Sequence, residues 1–328
     1  MKGAYRISVS TKRIKYDFTI NRNITIIQGD SGTGKTTLVG LIRRFYEQGS
    51  KSGVKLECDR VCMPLGGRDW YKLLDGVHDT IVFIDEGNAF VKSNDFARAA
   101  KASDNYYVIV TREALGSLPI SVNEIYGIRS NGKMAENVPV YNSMYRLYGE
   151  FAHSTEINPT LVITEDSNAG HDFFSEVCAP LGIACISAHG RDKITDYIYS
   201  RPGDAVLIIA DGAAYGSKMR ETCEYLKEFS NYVLYLPESF EWLLLASGIL
   251  KERGLKDILK SPCKYIESSE FFSWERFFTH LLEKLTEENP VTTRYNKQGR
   301  LPPFFRRRGN IDKVLGQIPS IKFKDNSV

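Results

Sequence analysis

The chain of 328 residues exceeds what one hydrophobic core usually supports, so two domains are expected. Apolar residues at 42% and charged residues at 25% are those of an ordinary globular protein, and a net charge of +3 is too small to indicate nucleic-acid binding by itself. No apolar run approaches the ~20 residues needed to span a bilayer and no secretory segment opens the chain, so a cytoplasmic protein without membrane contact is expected.

In chain order, YRISVS (5–10) and YDFTI (16–20) alternate as strands do, and they flank the basic turn Thr11-Lys12-Arg13. This predicts a hairpin leading into a third strand, Ile24–Gln28. The octet Gly29-Asp30-Ser31-Gly32-Thr33-Gly34-Lys35-Thr36 follows and satisfies G-x-x-x-x-G-K-[ST]. Glycines let such a loop curl until its N–H groups face phosphate oxygens. Lys35 then reaches the β/γ-phosphates, Thr36 offers a hydroxyl to Mg²⁺, and Thr37 continues the binding turn. Leu38, Leu41, Ile42 and Phe45 recur at helical spacing, so a helix over 35–46 places its N-terminus at the loop.

Apolar runs at 54–63, 80–85 and 106–111 alternate with polar segments, the pattern of a mostly parallel sheet. The middle run, Ile81-Val82-Phe83-Ile84, delivers Asp85 and Glu86 at its end. Asp85 is the candidate to hold Mg²⁺ through water, and Glu86 the candidate general base for an attacking water. Thr111 ends the next strand as a candidate γ-phosphate sensor. Arg112 and Arg129 are candidate arginine fingers. From these motifs residues 16–112 resemble P-loop ATPases of the branch with an additional catalytic glutamate, which holds RecA-like, AAA+ and ABC ATPases. The resemblance implies ATP and Mg²⁺ as cofactors. It also implies sites that are often completed across subunits, so a homo-oligomer or a partner protein is expected.

Short strands and turns fill 117–151, and the polar stretch 153–159 reads as a linker. A second βα alternation follows, with strands at 160–164, 182–187, 205–210 and 232–236. Helices are predicted near 171–180, 190–200 and 216–229, another starts near Glu238, and the last runs over 271–288. Acids end two of these strands: LVIT precedes Glu165-Asp166, and AVLIIA precedes Asp211-Gly212-Ala213-Ala214-Tyr215-Gly216. This arrangement resembles the Toprim fold of topoisomerases, primases and nucleases of the overcoming-lysogenization-defect type. There a strand-end Glu and a D-x-D-x-x-G segment bind Mg²⁺ for phosphodiester chemistry. Glu165, Asp211 and Gly216 match that pattern, but Ala213 stands at the second Asp position and Asp166 where a glycine commonly follows the Glu. A methyl group supplies no oxygen to Mg²⁺. The site either recruits Asp166, Asp172 or Glu238 as a further ligand, or is inactive. His171, His189 and Lys218 lie in nearby loops as candidate phosphate contacts.

From 290 the chain carries nine basic residues against two acids, Asp312 and Asp325, giving +7 and leaving −4 for everything before it. Phe304, Phe305 and Arg306–Arg308 combine stacking groups with charge, a candidate nucleic-acid contact. The six cysteines form no C-x-x-C pair, and Cys58/Cys62 lacks a second pair to complete a zinc site. The expected architecture is α/β: two doubly wound, mostly parallel-sheet domains, a P-loop ATPase over 1–151 and a Toprim-like domain over 159–289. A basic C-terminal tail over 290–328 follows. The expected function is ATP binding and hydrolysis whose nucleotide state controls the second domain's action on nucleic acid. The resemblance puts this in antiviral defence or mobile-element biology, either as a Mg²⁺-dependent nuclease or as an ATP-dependent switch with an inactive Toprim-like binding domain.

Overall fold

A computed structural model describes residues 1–131, 140–149, 157–200, 204–228 and 231–318. The chain divides into two compact units: Met1–Leu147 with Ser261–Phe272, and Tyr148–Lys260 with the chain from Ser273 onward. Both are α/β. Among the described residues no helix is long and apolar enough to cross a membrane.

In unit 1 the strands are β1 (Tyr5–Ser10), β2 (Ile14–Ile20), β3 (Ile24–Ile27), β4 (Lys55–Glu57), β5 (Val61–Leu65), β6 (Thr80–Ile84), β7 (Tyr106–Val110), β8 (Ile125–Asn131) and β9 (Val140–Arg146). The helices are α1 (Lys35–Gln48), α2 (Trp70–Leu74) and α3 (Asn94–Ala102). The described strands form one sheet in the order β4-β1-β2-β9-β8-β3-β7-β6-β5. From β8 through β3, β7 and β6 to β5 every pairing is parallel. The β1–β2 hairpin, the β1–β4 pair and the β8–β9 pair are antiparallel, and β2 joins β9 in parallel. The sheet is mostly parallel, as the sequence implies, and it gains an antiparallel end. The composition of the strands explains the split. TIVFI and YYVIV are buried at every position, as central parallel strands require. β1 and β2 alternate, so only one of their faces joins the core. That face, with Ile7, Val9, Phe18 and Ile128, shares one core cluster with Leu38, Leu41 and Ile42 of α1.

In unit 2 the strands β10 (Leu161–Thr164), β11 (Ala184–Ser187), β12 (Val206–Ile209) and β13 (Tyr232–Tyr235) form a fully parallel sheet, order β11-β10-β12-β13. The helices are α4 (Ala169–Cys178), α5 (Ile194–Ser200), α6 (Met219–Glu228), α7 (Phe240–Ala246), α8 (Leu255–Lys260), α9 (Trp274–Thr286) and α10 (Arg308–Leu315).

The units correct two expected boundaries. Residues 261–272 lie inside the stretch assigned to the second domain, yet they belong to unit 1. There Gly3 N–H donates to Cys263 O (2.7 Å), Ser268 N–H to Met1 O (3.0 Å), and Asn23 Nδ2 to Phe272 O (2.9 Å). The described part of the tail, 290–318, is packed into unit 2, with Tyr295, Leu301 and Phe305 buried. Phe305 meets Tyr295 and Phe304 edge-on, so it is a core side chain and not an exposed stacking group. Most of the expected linker and the tail residues Lys322, Lys324 and Asp325 lie outside the described residues.

Candidate functional site

The loop after β3 follows a left-handed path at Gly29 (φ 131°), Gly32 (φ 81°) and Gly34 (φ 91°), which only glycine adopts without strain. It closes on the Lys35 ammonium, which donates to Gly29 O (2.7 Å), Asp30 O (2.6 Å) and Thr33 Oγ1 (3.1 Å). Tyr16, buried on β2, donates to Gly34 O (2.8 Å), and a Cβ on Gly34 would stand 2.6 Å from its hydroxyl oxygen. No side chain caps α1 and no acid sits in its first turn, so the helix N-terminus keeps its positive end for an anion. Burial, with the nearby Arg112 charge, draws the Lys35 pKa down, and Glu86, Asp30 and Asp85 oppose this.

The order β3-β7-β6 inserts β7 between the strand carrying the loop and the strand carrying the acids. All three end at the same edge, so Asp85, Glu86 and Arg112 converge on the loop. Thr36 Oγ1 lies 3.4 Å from Asp85 Oδ1, which also accepts from Glu86 N–H (2.8 Å). Arg112 bridges the two halves: its Nε lies 3.0 Å from Glu86 Oε1, and its Nη2 donates to Ser31 Oγ (2.8 Å). Thr111 is buried, and its hydroxyl accepts from Glu113 N–H (3.0 Å). Arg112 reaches the loop at Ser31, and Thr111 N–H donates to Ile27 O at the end of β3 (3.2 Å). The donor set fits a triphosphate with Mg²⁺: an ammonium enclosed by loop oxygens, a helix N-terminus, and the hard oxygens of Thr36 and Asp85 side by side.

Unit 2 presents a second convergence. β10 leads to β11 on one side of the sheet and β12 to β13 on the other, so a crevice opens between the ends of β10 and β12. Glu165, Asp166 and Asp211 all lie there. Glu165 Oε2 accepts from Asp211 N–H (3.0 Å), and Asp211 Oδ1 accepts from Phe240 N–H (3.1 Å). Asp166 accepts from Gly170 N–H (3.2 Å) and His171 N–H (3.0 Å) at the start of α4. Burial pushes Glu165 up to about 7 against the Asp211 N–H bond, and it raises Asp166 and Asp211 as well.

A cation packed among these acids is Lys297. Its Nζ lies 2.9 Å from Glu241 Oε1, 3.6 Å from Glu275 Oε1 and 3.9 Å from Asp211 Oδ2. Burial would lower its pKa, but Asp211, Glu241 and Glu275 outweigh that and raise it. Glu241 is fully buried on α7. One of its oxygens also accepts from Tyr295 OH (2.7 Å), and the other has no hydrogen-bond partner. Sequence reasoning missed Lys297, Glu241, Glu275 and Tyr295. The one local signal was an acid at 241 inside the apolar run FEWLLLA.

Ala213 is buried and supplies no oxygen, and Asp172 Oδ2 is engaged by Leu301 N–H (3.1 Å). Among the described residues, no three His, Cys, Asp or Glu side chains are placed to hold a metal ion. Asp166 has both carboxylate oxygens on backbone N–H groups, Glu165 and Asp211 have one each, and the Lys297 ammonium stands 3.9 Å from the second Asp211 oxygen. His171 Nδ1 lies 3.1 Å from Thr164 Oγ1, and Lys218 pairs with Asp192 (3.2 Å) and Glu221 (3.4 Å).

No family model matches the chain, and no curated protein matches it.

Proposed function

We propose that the protein binds ATP with Mg²⁺ in unit 1 and hydrolyses it, and that nucleotide state governs how unit 2 engages a nucleic acid. One observation carries the first part: the Lys35 ammonium is enclosed by loop oxygens at the head of α1, with Thr36 and Asp85 oxygens 3.4 Å apart beside it. Thr36 and Asp85 would hold Mg²⁺, which when bound neutralises charge on the phosphates. Lys35 exchanges its loop carbonyls for β/γ-phosphate oxygens. Glu86 accepts a proton from the attacking water, with the Arg112 guanidinium holding its Oε1. Lys35→Ala is expected to abolish Mg-ATP binding in calorimetric titration, and undiminished affinity would refute the loop assignment. Glu86→Gln is expected to keep binding and lose turnover.

For unit 2, the resemblance to Toprim domains supports nucleic acid as the partner. Two observations favour recognition without cleavage over nuclease action: the methyl group at 213, and the Lys297 ammonium among the carboxylates. On this reading the wild type cleaves neither single- nor double-stranded DNA or RNA with Mg²⁺. Mg²⁺-dependent cleavage that disappears in Glu165→Ala and Asp211→Ala would instead establish the nuclease.

A further inference from the structure

The antiparallel end of the unit 1 sheet has a second face that the ATP site does not use. Strand alternation turns Lys15, Asp17 and Thr19 of β2, Tyr141, Ser143 and Tyr145 of β9, and Gly127, Arg129 and Asn131 of β8 away from the α1 core. Register makes neighbours of Lys15 and Tyr141, of Gly127 and Tyr145, and of Arg129 and Ser143. Both tyrosines are exposed, Tyr141 at 49% and Tyr145 at 39%. The Tyr145 ring lies over Gly127, where a Cβ would come within 2.5 Å of it. The Arg129 guanidinium stands 4.8 Å from the Tyr145 ring centre, and the Lys15 ammonium 5.8 Å from that of Tyr141. The exposed basic turn Lys12-Arg13 adjoins Tyr141, since Val140 N–H donates to Arg13 O (2.8 Å). Asp17 on this face is paired with Arg6 (2.5 Å) and lies 3.7 Å from the Lys15 ammonium.

From this juxtaposition we infer that the open face of β2, β9 and β8 is a stacking platform for single-stranded nucleic acid. Flat aromatic rings held open on a rigid sheet stack with unpaired bases, and interleaved cations neutralise the phosphates between them. A duplex hides its base faces and cannot use the rings. Among the described residues the other exposed side chains of the face are Thr19, Ser143 and Asn131, with none of the aliphatic groups of a protein-docking surface. The inference takes nucleic acid as the partner from the proposed function, but it places a contact on unit 1 and needs no nucleotide.

The test is fluorescence anisotropy of a labelled oligothymidylate and of a blunt duplex with the full-length protein, without ATP. The wild type is expected to bind the single strand more tightly than the duplex. Tyr141→Ala and Tyr145→Ala are each expected to weaken single-strand binding about tenfold, with Tyr→Phe retaining it. Gly127→Ala, which displaces the Tyr145 ring, is expected to weaken it too. Lys15→Gln and Arg129→Gln are expected to flatten the salt dependence. The Tyr→Phe pair and melting curves separate loss of the platform from loss of fold. The platform alone is overturned if the wild type binds while both Tyr→Ala variants bind equally well, if the duplex is preferred, or if those variants change only the oligomeric state. No binding by the wild type overturns the platform together with the nucleic-acid reading of the whole protein.

Discussion

At the scale of single residues, Lys297 decides the character of unit 2. Its ammonium is the counter-ion of the fully buried Glu241 and lies near Glu275 and Asp211. Breaking a buried pair strands a charge in low dielectric, which costs about 3 kcal/mol or more, whereas removing both partners is often close to neutral. Lys297→Met is therefore expected to lower the stability of unit 2 by about 3 kcal/mol in urea unfolding, and Lys297→Met with Glu241→Gln to recover most of it. Equal losses in the single and the double variant would remove the pair as the cause. Glu165 makes a separate prediction with its own sign. Its pKa is about 7 in the folded protein, and in an unfolded chain it is about 4.3. The folded state thus holds the proton more tightly, so the contribution to stability is full below about pH 4 and is lost as pH rises through about 7. The wild type should lose about 4 kcal/mol across that window beyond what Glu165→Gln loses, the slope left in the variant coming from the remaining titrating groups. Matching pH slopes in the two proteins would contradict this. Lys35, Asp85 and Glu86 could be read from the sequence because a phosphate loop and a strand-end acid pair are local patterns. Lys297 could not, because its partners come from three other elements and no spacing links them.

At the scale of elements, each candidate side chain is set by how its helix or strand begins or ends. α7 delivers Glu241, and its N-terminus is fixed by Ser239, whose buried hydroxyl accepts from Trp242 N–H (3.1 Å). Asp211 meets the same turn by accepting from Phe240 N–H. Ser239→Ala is expected to cost about 1 kcal/mol as a lost N-cap. An unchanged urea-unfolding midpoint in that variant would show that the Ser239 hydroxyl does not cap α7. The strands were readable as elements because TIVFI, YYVIV, LVIT and VLII are short apolar runs bounded by polar residues. Their order in the sheet was not. That β7 separates β3 from β6 and so brings Arg112 to the loop depends on long-range pairing that no local periodicity encodes. The same holds for β9: its alternation gives a strand, but only its register against β8 and β2 puts Tyr145 on Gly127 and Tyr141 beside Lys15.

At the scale of the whole molecule, the chain crosses between its units more than once. It leaves unit 1 after Leu147, returns for Ser261–Phe272 and leaves again, so no single cut separates two complete units. The returning segment carries no shift in composition, and for this reason the sequence showed a two-domain division with a tail. Its contacts explain why it belongs to unit 1. Ile266 and Phe272 are buried, Cys263 and Ser268 engage the backbone of Gly3 and Met1, and Phe272 O is held by Asn23. Asn23 lies directly before β3, and its carbonyl accepts from Tyr107 N–H (2.7 Å), so the segment is fastened to the base of the strand that carries the phosphate loop. A chain ending at residue 149 keeps all nine strands of the sheet but loses Ile266, Phe272 and these hydrogen bonds. Each hydrogen bond contributes about 1 kcal/mol and each buried large apolar side chain about 2 kcal/mol, against a total domain stability of about 5–15 kcal/mol. The truncated chain is therefore expected to melt well below unit 1 of the full protein, to bind a hydrophobic dye, and to bind Mg-ATP more weakly although every phosphate-loop residue is present. Adding 261–272 back through a flexible linker is expected to restore all three. A truncated chain that melts and binds nucleotide like the full protein would show that the segment only rests on unit 1 and does not complete it.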